Sequence, residues 1–141
     1  YQDNTFHSHP GYYIDYFEMR LAQLQVLHNL HYEIKKIRKM PKQALVIADY
    51  IMYMADYVVE MNIPDQQIEK LEEISEQMKQ EELPKTREEF EGRALLYHIL
   101  MDLEEFLVYK KRFVNGLDEK KLRIYWKQEM EQKDSANELQ K

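Results

Sequence analysis

The sequence predicts an all-α domain: an antiparallel up-down bundle of four long helices, with or without a short fifth helix at its C-terminal end. Three observations predict it. Apolar residues recur at steps of three and four over long stretches, the spacing that lines one side of a helix. Breakers are scarce, with 3 Gly and 4 Pro in 141 residues, too few for the turns of a β-sandwich. The prolines fall between or at the start of the periodic stretches, where they punctuate helices.

Residues 1–9 are polar and aperiodic and read as a disordered lead-in, and Pro10 suits a first helical turn. The first helix is expected over residues 11–39. Its stripe is Phe17, Leu21, Leu24, Leu27, Leu30, Ile34 and Ile37, along a rod of roughly 43 Å. Pro41 breaks it. A second helix follows over 42–61, with Ala44, Ala48, Ile51, Ala55 and Val58 as its inner face, small enough for a close neighbour. Asn62-Ile63-Pro64 ends it. The third, over 65–80, carries the narrow stripe Ile68, Leu71, Ile74 and Met78 and is otherwise polar, so it belongs on the outside.

Leu83-Pro84-Lys85 is the next break. Thr86 and Glu89 then form a capping box, with the Thr hydroxyl accepting from the Glu89 amide and the Glu89 carboxylate reaching back to the Thr86 amide. The fourth helix, over 87–115, has Leu96, Leu100, Leu103 and Leu107 as its core line and Gly116 as its C-terminal cap. Asp118 can start a fifth helix through about residue 132, with Leu122, Ile124, Tyr125 and Trp126 as its apolar content. The bundle thus spans 10–132, and 133–141 reads as a disordered tail. Short breaks between long helices favour antiparallel neighbours, which puts the end of helix four beside the start of helix one.

Composition narrows the function classes. Apolar residues at 44% supply a core. A net charge of −6 opposes general nucleic-acid binding. The absence of Cys removes disulfides, thiolate metal sites and Cys nucleophiles. No stretch approaches the roughly 20 apolar residues that cross a bilayer. The chain begins at Tyr1 rather than Met and reads as a fragment or a processed protein.

Four features are candidates for chemistry. His28 and His31 lie a turn apart on helix one, His98 and Asp102 a turn apart on helix four, with Glu33 near. They are weak metal candidates, because bundle metal sites use Glu-x-x-His on two helices and that signature is missing. Histidines at a core edge are the simpler account. Arg93 and His98 have the five-residue spacing of certain helical ribonucleases, but Ala94 stands where a polar residue is usual and the acidic charge suits RNA badly. The 11 Tyr suit the margin between core and water better than a ligand site. The basic runs Lys35, Lys36, Arg38, Lys39 and Lys110, Lys111, Arg112 complement helix C-terminal dipoles. A membrane surface is their sharper alternative. No catalytic set and no cofactor is expected.

Two runs go beyond generic helix: residues 12–20, YYIDYFEMR, and residues 82–107, ELPKTREEFEGRALLYHILMDLEEFL. Together they resemble the C-terminal domain of the putative aromatic acid exporter family of bacteria, in which a membrane region precedes a cytoplasmic helical domain. The resemblance implies a non-enzymatic regulatory or oligomerisation domain at the cytoplasmic face of the cell membrane, as part of an integral membrane protein. Its partners would be the N-terminal transmembrane region, absent from this chain, and a second copy in self-association. Lys110, Lys111 and Arg112 would then face anionic lipid headgroups. Glu18, Arg20, Arg87, Glu88, Glu89 and Arg93, the polar members of the matched runs, are the candidate ligand or partner contacts. The alternative is a stand-alone bundle that holds a small ligand or a metal ion between its helices.

Overall fold

The computed structural model describes residues 10–37, 41–117 and Trp126. Among the described residues four helices follow one another: α1 Pro10–Lys35, α2 Ala44–Ala55, α3 Asp65–Lys79 and α4 Arg87–Asn115. Among the described residues there is no strand. The expected lead-in 1–9, the fifth helix apart from Trp126, and the tail 133–141 lie outside the described residues, as do Arg38 and Lys39.

α4 is the hub. It touches α1, α2 and α3, while α3 packs on both α2 and α4, and α1 makes its close helix approach to α4 alone. α1 and α4 run antiparallel, as the short breaks predict. The Tyr12 and Phe113 rings lie 5.6 Å apart at one end, Gln23 meets the Phe106 carbonyl midway, and Glu33 sits near His98 at the other end.

α4 begins where its capping box predicts. Thr86 Oγ1 accepts from the Glu89 N–H at 3.1 Å. The reciprocal bond differs from expectation, because Glu89 Oε2 accepts from the Lys85 N–H at 2.8 Å. At the far end Gly116 has a φ of −75°, so its left-handed freedom is not used there. α2 stops at Ala55, short of the expected residue 61. The Asp56 and Tyr57 N–H groups bond three residues back, to Tyr53 and Met54, a tightening typical of helix ends. The Val59 and Glu60 carbonyls then turn toward the Lys110 ammonium.

The α4 and α3 stripes are as expected. Leu96, Leu100, Leu103, Leu107, Leu71, Ile74 and Met78 are all buried, with Ile68 packed at their edge. The other two helices present different faces. In α2 the buried residues are Ile47, Tyr50 and Met54; of the expected face Ala44 and Ile51 pack at the core edge, while Ala48, Ala55 and, beyond the helix, Val58 are exposed. Tyr50, Ile47 and Met54 remove far more area from water than the alanine face does. In α1 the core face is Tyr12, Met19, Gln23, Val26 and Leu30. Of the expected stripe only Leu30 is buried, and Phe17, Leu21, Leu24, Leu27 and Ile34 are exposed.

The apolar interior forms two clusters. The larger draws on all four helices, from Val26 and Leu30 to Phe106 and Leu107. The smaller holds Tyr12, Met19, Phe113, Val114 and Trp126, and Tyr109 packs against both.

Candidate functional site

A buried polar knot sits where the start of α1, the end of α4 and the loop after α2 converge. Lys110 is only 3% exposed. Its ammonium donates to the Val59 carbonyl at 3.1 Å and to the Glu60 carbonyl. It lies 5.8 Å from the Tyr16 ring, 5.6 Å from Phe113 and 5.7 Å from Trp126, a cation among ring faces. Burial lowers its pKa to about 8, with Arg20 adding to the shift and Glu60 opposing it. Beside it the Tyr12 hydroxyl donates to Glu60 Oε1 at 2.7 Å and accepts from Trp126 Nε1–H at 2.9 Å. Burial first, and then the bond to Glu60, hold the Tyr12 phenol above its ordinary range.

One turn further along, Gln23 fastens α1 to α4. Its Nε2 donates to the Phe106 carbonyl at 2.8 Å, and its Oε1 accepts from Arg20 Nη1 at 2.7 Å. Arg20 Nε also donates to the Tyr16 hydroxyl at 3.1 Å. Arg20 is therefore occupied by its own helix, and Glu18 is exposed on another face. Two residues apart, Glu18 and Arg20 project from different sides of α1.

The knot removes Lys110 from the expected membrane-facing cluster. Lys110 points inward and is bonded to backbone carbonyls, so it has no ammonium to offer a lipid surface. Lys111 pairs with Asp65 at 3.5 Å, and Arg112 is exposed. A basic side chain near a helix end reads as solvated. Here the apolar (CH₂)₄ stem and the two loop carbonyls favour burial instead.

The remaining candidate contacts gather at the opposite end, about 25–35 Å away along α4. Arg87 is exposed and pairs with Glu91 at 3.2 Å. Glu88 is exposed, and Glu89 serves the cap. Arg93, half-buried, borders a cleft of about 600 Å³ that also takes in Lys42, Gln43, Glu82, Leu83 and Glu88. The cleft mixes cations and carboxylates with the apolar Pro41 and Leu83, so it has no single charge preference.

The histidines do not converge. His28 and His31 are exposed on the side of α1 away from α4, with His28 edge-on to Tyr32 at 5.3 Å. His98 Nδ1 lies 3.5 Å from Asp102 Oδ2 and 3.9 Å from Glu33 Oε1. Among the described residues no group of three or more His, Asp or Glu side chains is placed to hold a metal ion. Asp102 Oδ2 is buried without a hydrogen-bond partner. Burial raises its carboxyl above the ordinary aspartate range, against a lowering effect from His98. Arg93 and His98, five residues apart, are about 140° apart around α4 and do not share a face.

Sequence reasoning missed Gln23 and Glu60 as knot residues. The signal for Gln23 was present, because Met19, Gln23, Val26 and Leu30 keep steps of four, three and four. For Glu60 there was none, since its role depends on a loop path.

Comparison with known proteins gives a consistent result. The family model described as "Putative aromatic acid exporter C-terminal domain" matches residues 1–111. An uncharacterized protein of Bacillus subtilis (strain 168), YqjA, is 32% identical over 98 residues, which is 70% of this chain and 30% of that protein. The chain thus spans less than a third of the length of that relative. No solved structure matches.

Proposed function

Starting from the fact that this chain belongs to the putative aromatic acid exporter C-terminal domain family, we propose that it is the accessory domain of a longer membrane protein. It would lie on the cytoplasmic face and act by oligomerisation or regulation of the membrane part, not by chemistry. The observation that carries this reading is the family match over residues 1–111, set beside a relative more than three times the matched length. No described helix is long and apolar enough to cross a membrane, so the spans of such a protein would come from other segments. The polar knot suits a structural role, since its cation and phenol are already paired within the domain.

Membrane fractionation of the intact gene product tests this. It is expected to resist alkaline extraction from membranes, and a product recovered in the supernatant would end the reading. Transport of aromatic carboxylates by intact protein and by a version lacking this domain would then show whether the domain regulates flux.

A second reading rests on the cleft of about 600 Å³ beside Arg93, a size that accepts a small ligand. Its charges suit a zwitterionic molecule. Calorimetric titration with amino acids should show binding that Arg93→Ala removes, and an absence of heat in the parent chain would eliminate it.

A further inference from the structure

The face of α1 turned away from α4 carries a two-heptad apolar seam. Ile14, Phe17, Leu21 and Leu24 are spaced by three, four and three residues, the a and d positions of a heptad. They are 50, 52, 65 and 59% exposed. Met19, Gln23 and Val26, on the other side of the same helix, are buried against the domain. The burial of α1 on α4 therefore leaves unused the leucine stripe that its sequence displays most clearly. His28 and His31 take the next a and d positions and end the seam with polar groups.

We propose that this seam is the self-association surface of the domain, and that it pairs in parallel with α1 of a second copy. Area supports a second copy. The four side chains leave on the order of 450 Å² per chain exposed, within the ~300–600 Å² of the largest patch on a typical monomer, a patch that is often functional. Two such faces supply roughly 900 Å² toward the ~1,200 Å² at which specific interfaces begin, and flanking residues of the helix supply the rest. A lipid surface fits less well. Interfacial helices border their apolar face with Lys and Arg, whereas this seam is bordered by Glu18 and Gln25, and Arg20 is bonded to Tyr16 and Gln23.

Charge selects the direction. In an antiparallel pair that aligns Ile14 with Leu24 and Phe17 with Leu21, Glu18 meets Glu18 and Arg20 meets Arg20 of the second copy, both repulsive. In a parallel pair Arg20 lies beside Gln25 and Glu18 beside Tyr13, with no like charges opposed. This direction also rests on the proposed membrane attachment. Copies fixed in one bilayer are related by an axis along its normal, and an α1 that leaves the membrane along that normal is then parallel to its equivalent. Attachment also raises the effective concentration, so a short seam suffices.

The chain has no Cys, so with any cysteine elsewhere in the intact protein replaced by Ser, an introduced cysteine is the sole cross-linking site. In the intact protein in membranes, Leu21→Cys should form a disulfide dimer with itself on mild oxidation, since parallel a positions fall within disulfide reach. Cross-linking only in a mixture of Leu21→Cys and Phe17→Cys proteins would overturn the parallel arrangement. For the isolated chain, sedimentation equilibrium should show association that Leu21→Lys weakens by about tenfold or more through burial of a charge. Met52→Lys, at an exposed apolar site on α2, should leave it unchanged. Unaltered helicity in both variants excludes misfolding. A monomer at all concentrations, together with no Leu21→Cys dimer in membranes, would overturn the interface and leave the membrane reading standing. An intact protein absent from membranes would overturn that reading, while sedimentation would still decide the seam.

Discussion

Lys110 and Asp102 are both buried on α4, and their ionisation costs act in opposite directions with pH. Lys110 titrates at about 8 in the folded chain, against about 10.4 when unfolded. Between those values the unfolded chain holds a proton that the folded chain has released, so stability rises with pH. Above about 10 the buried Tyr12 and Tyr50 reverse the trend. Burial holds both phenols above the ordinary range, so the unfolded chain loses their protons first and stability falls. Urea midpoints between pH 7 and 11 should therefore pass through a maximum near pH 10, after a rise of at most about 2 kcal/mol from pH 8. Lys110→Met should abolish the rise and keep the fall. Asp102 works at the acid end. Its folded pKa is raised, so stability is lost as pH climbs from about 4, the unfolded value, through the folded one. Asp102→Asn should remove that slope and be at least as stable as the parent at pH 7. A difference between the two proteins that is the same at pH 4 and pH 7 would show that this carboxyl does not ionise as described.

At the scale of single helices, legibility follows the width of the apolar stripe. α3 and α4 carry one stripe each, flanked by charge, and periodicity alone located Leu71, Ile74, Leu96 and Leu103 in the core. α2, ALVIADYIMYMA, is apolar on nearly every side, so its period does not choose a face. α1 carries two apolar stripes on opposite sides. Its choice is made by partners that lie far away in sequence: the Phe106 carbonyl for Gln23 and Glu60 for Tyr12. The same limit hid the candidate site. The Thr86 cap is local and was legible, whereas the inward turn of Lys110 depends on the path of residues 56–64. Substitutions separate the two α1 faces. Met19→Ala should cost about 2 kcal/mol or more, and Leu24→Ala, at dilutions where the chain is monomeric, should stay within about 0.5 kcal/mol. Chemical denaturation of both variants checks the pair, and equal losses would contradict the assigned face. Thr86→Ala should cost about 1 kcal/mol by the same measurement, since it leaves the Glu89 N–H without its cap.

For the molecule as a whole, the question is whether two apolar clusters make one folding unit. The larger cluster takes side chains from every helix, and α4 is the common wall of both. α1 and α4 each run unbroken through the two clusters, and Tyr109 packs against both. Opening one cluster while the other stays closed would require breaking a helix in mid-length, which exposes unpaired backbone groups. Cooperative unfolding follows from that geometry. Trp126, the only Trp in the sequence, reports on the smaller cluster through its buried ring and its bond to Tyr12. Far-UV circular dichroism reports on all the helices. The two signals should share one urea midpoint. Leu103, in the larger cluster and 1% exposed, supplies the decisive variant. Leu103→Ala should destabilise the chain by about 3 kcal/mol and move the Trp126 midpoint as far as the helical one. A Trp126 midpoint that stays in place while the helical signal shifts would mean that the end of the bundle holding Lys110 folds independently of the rest.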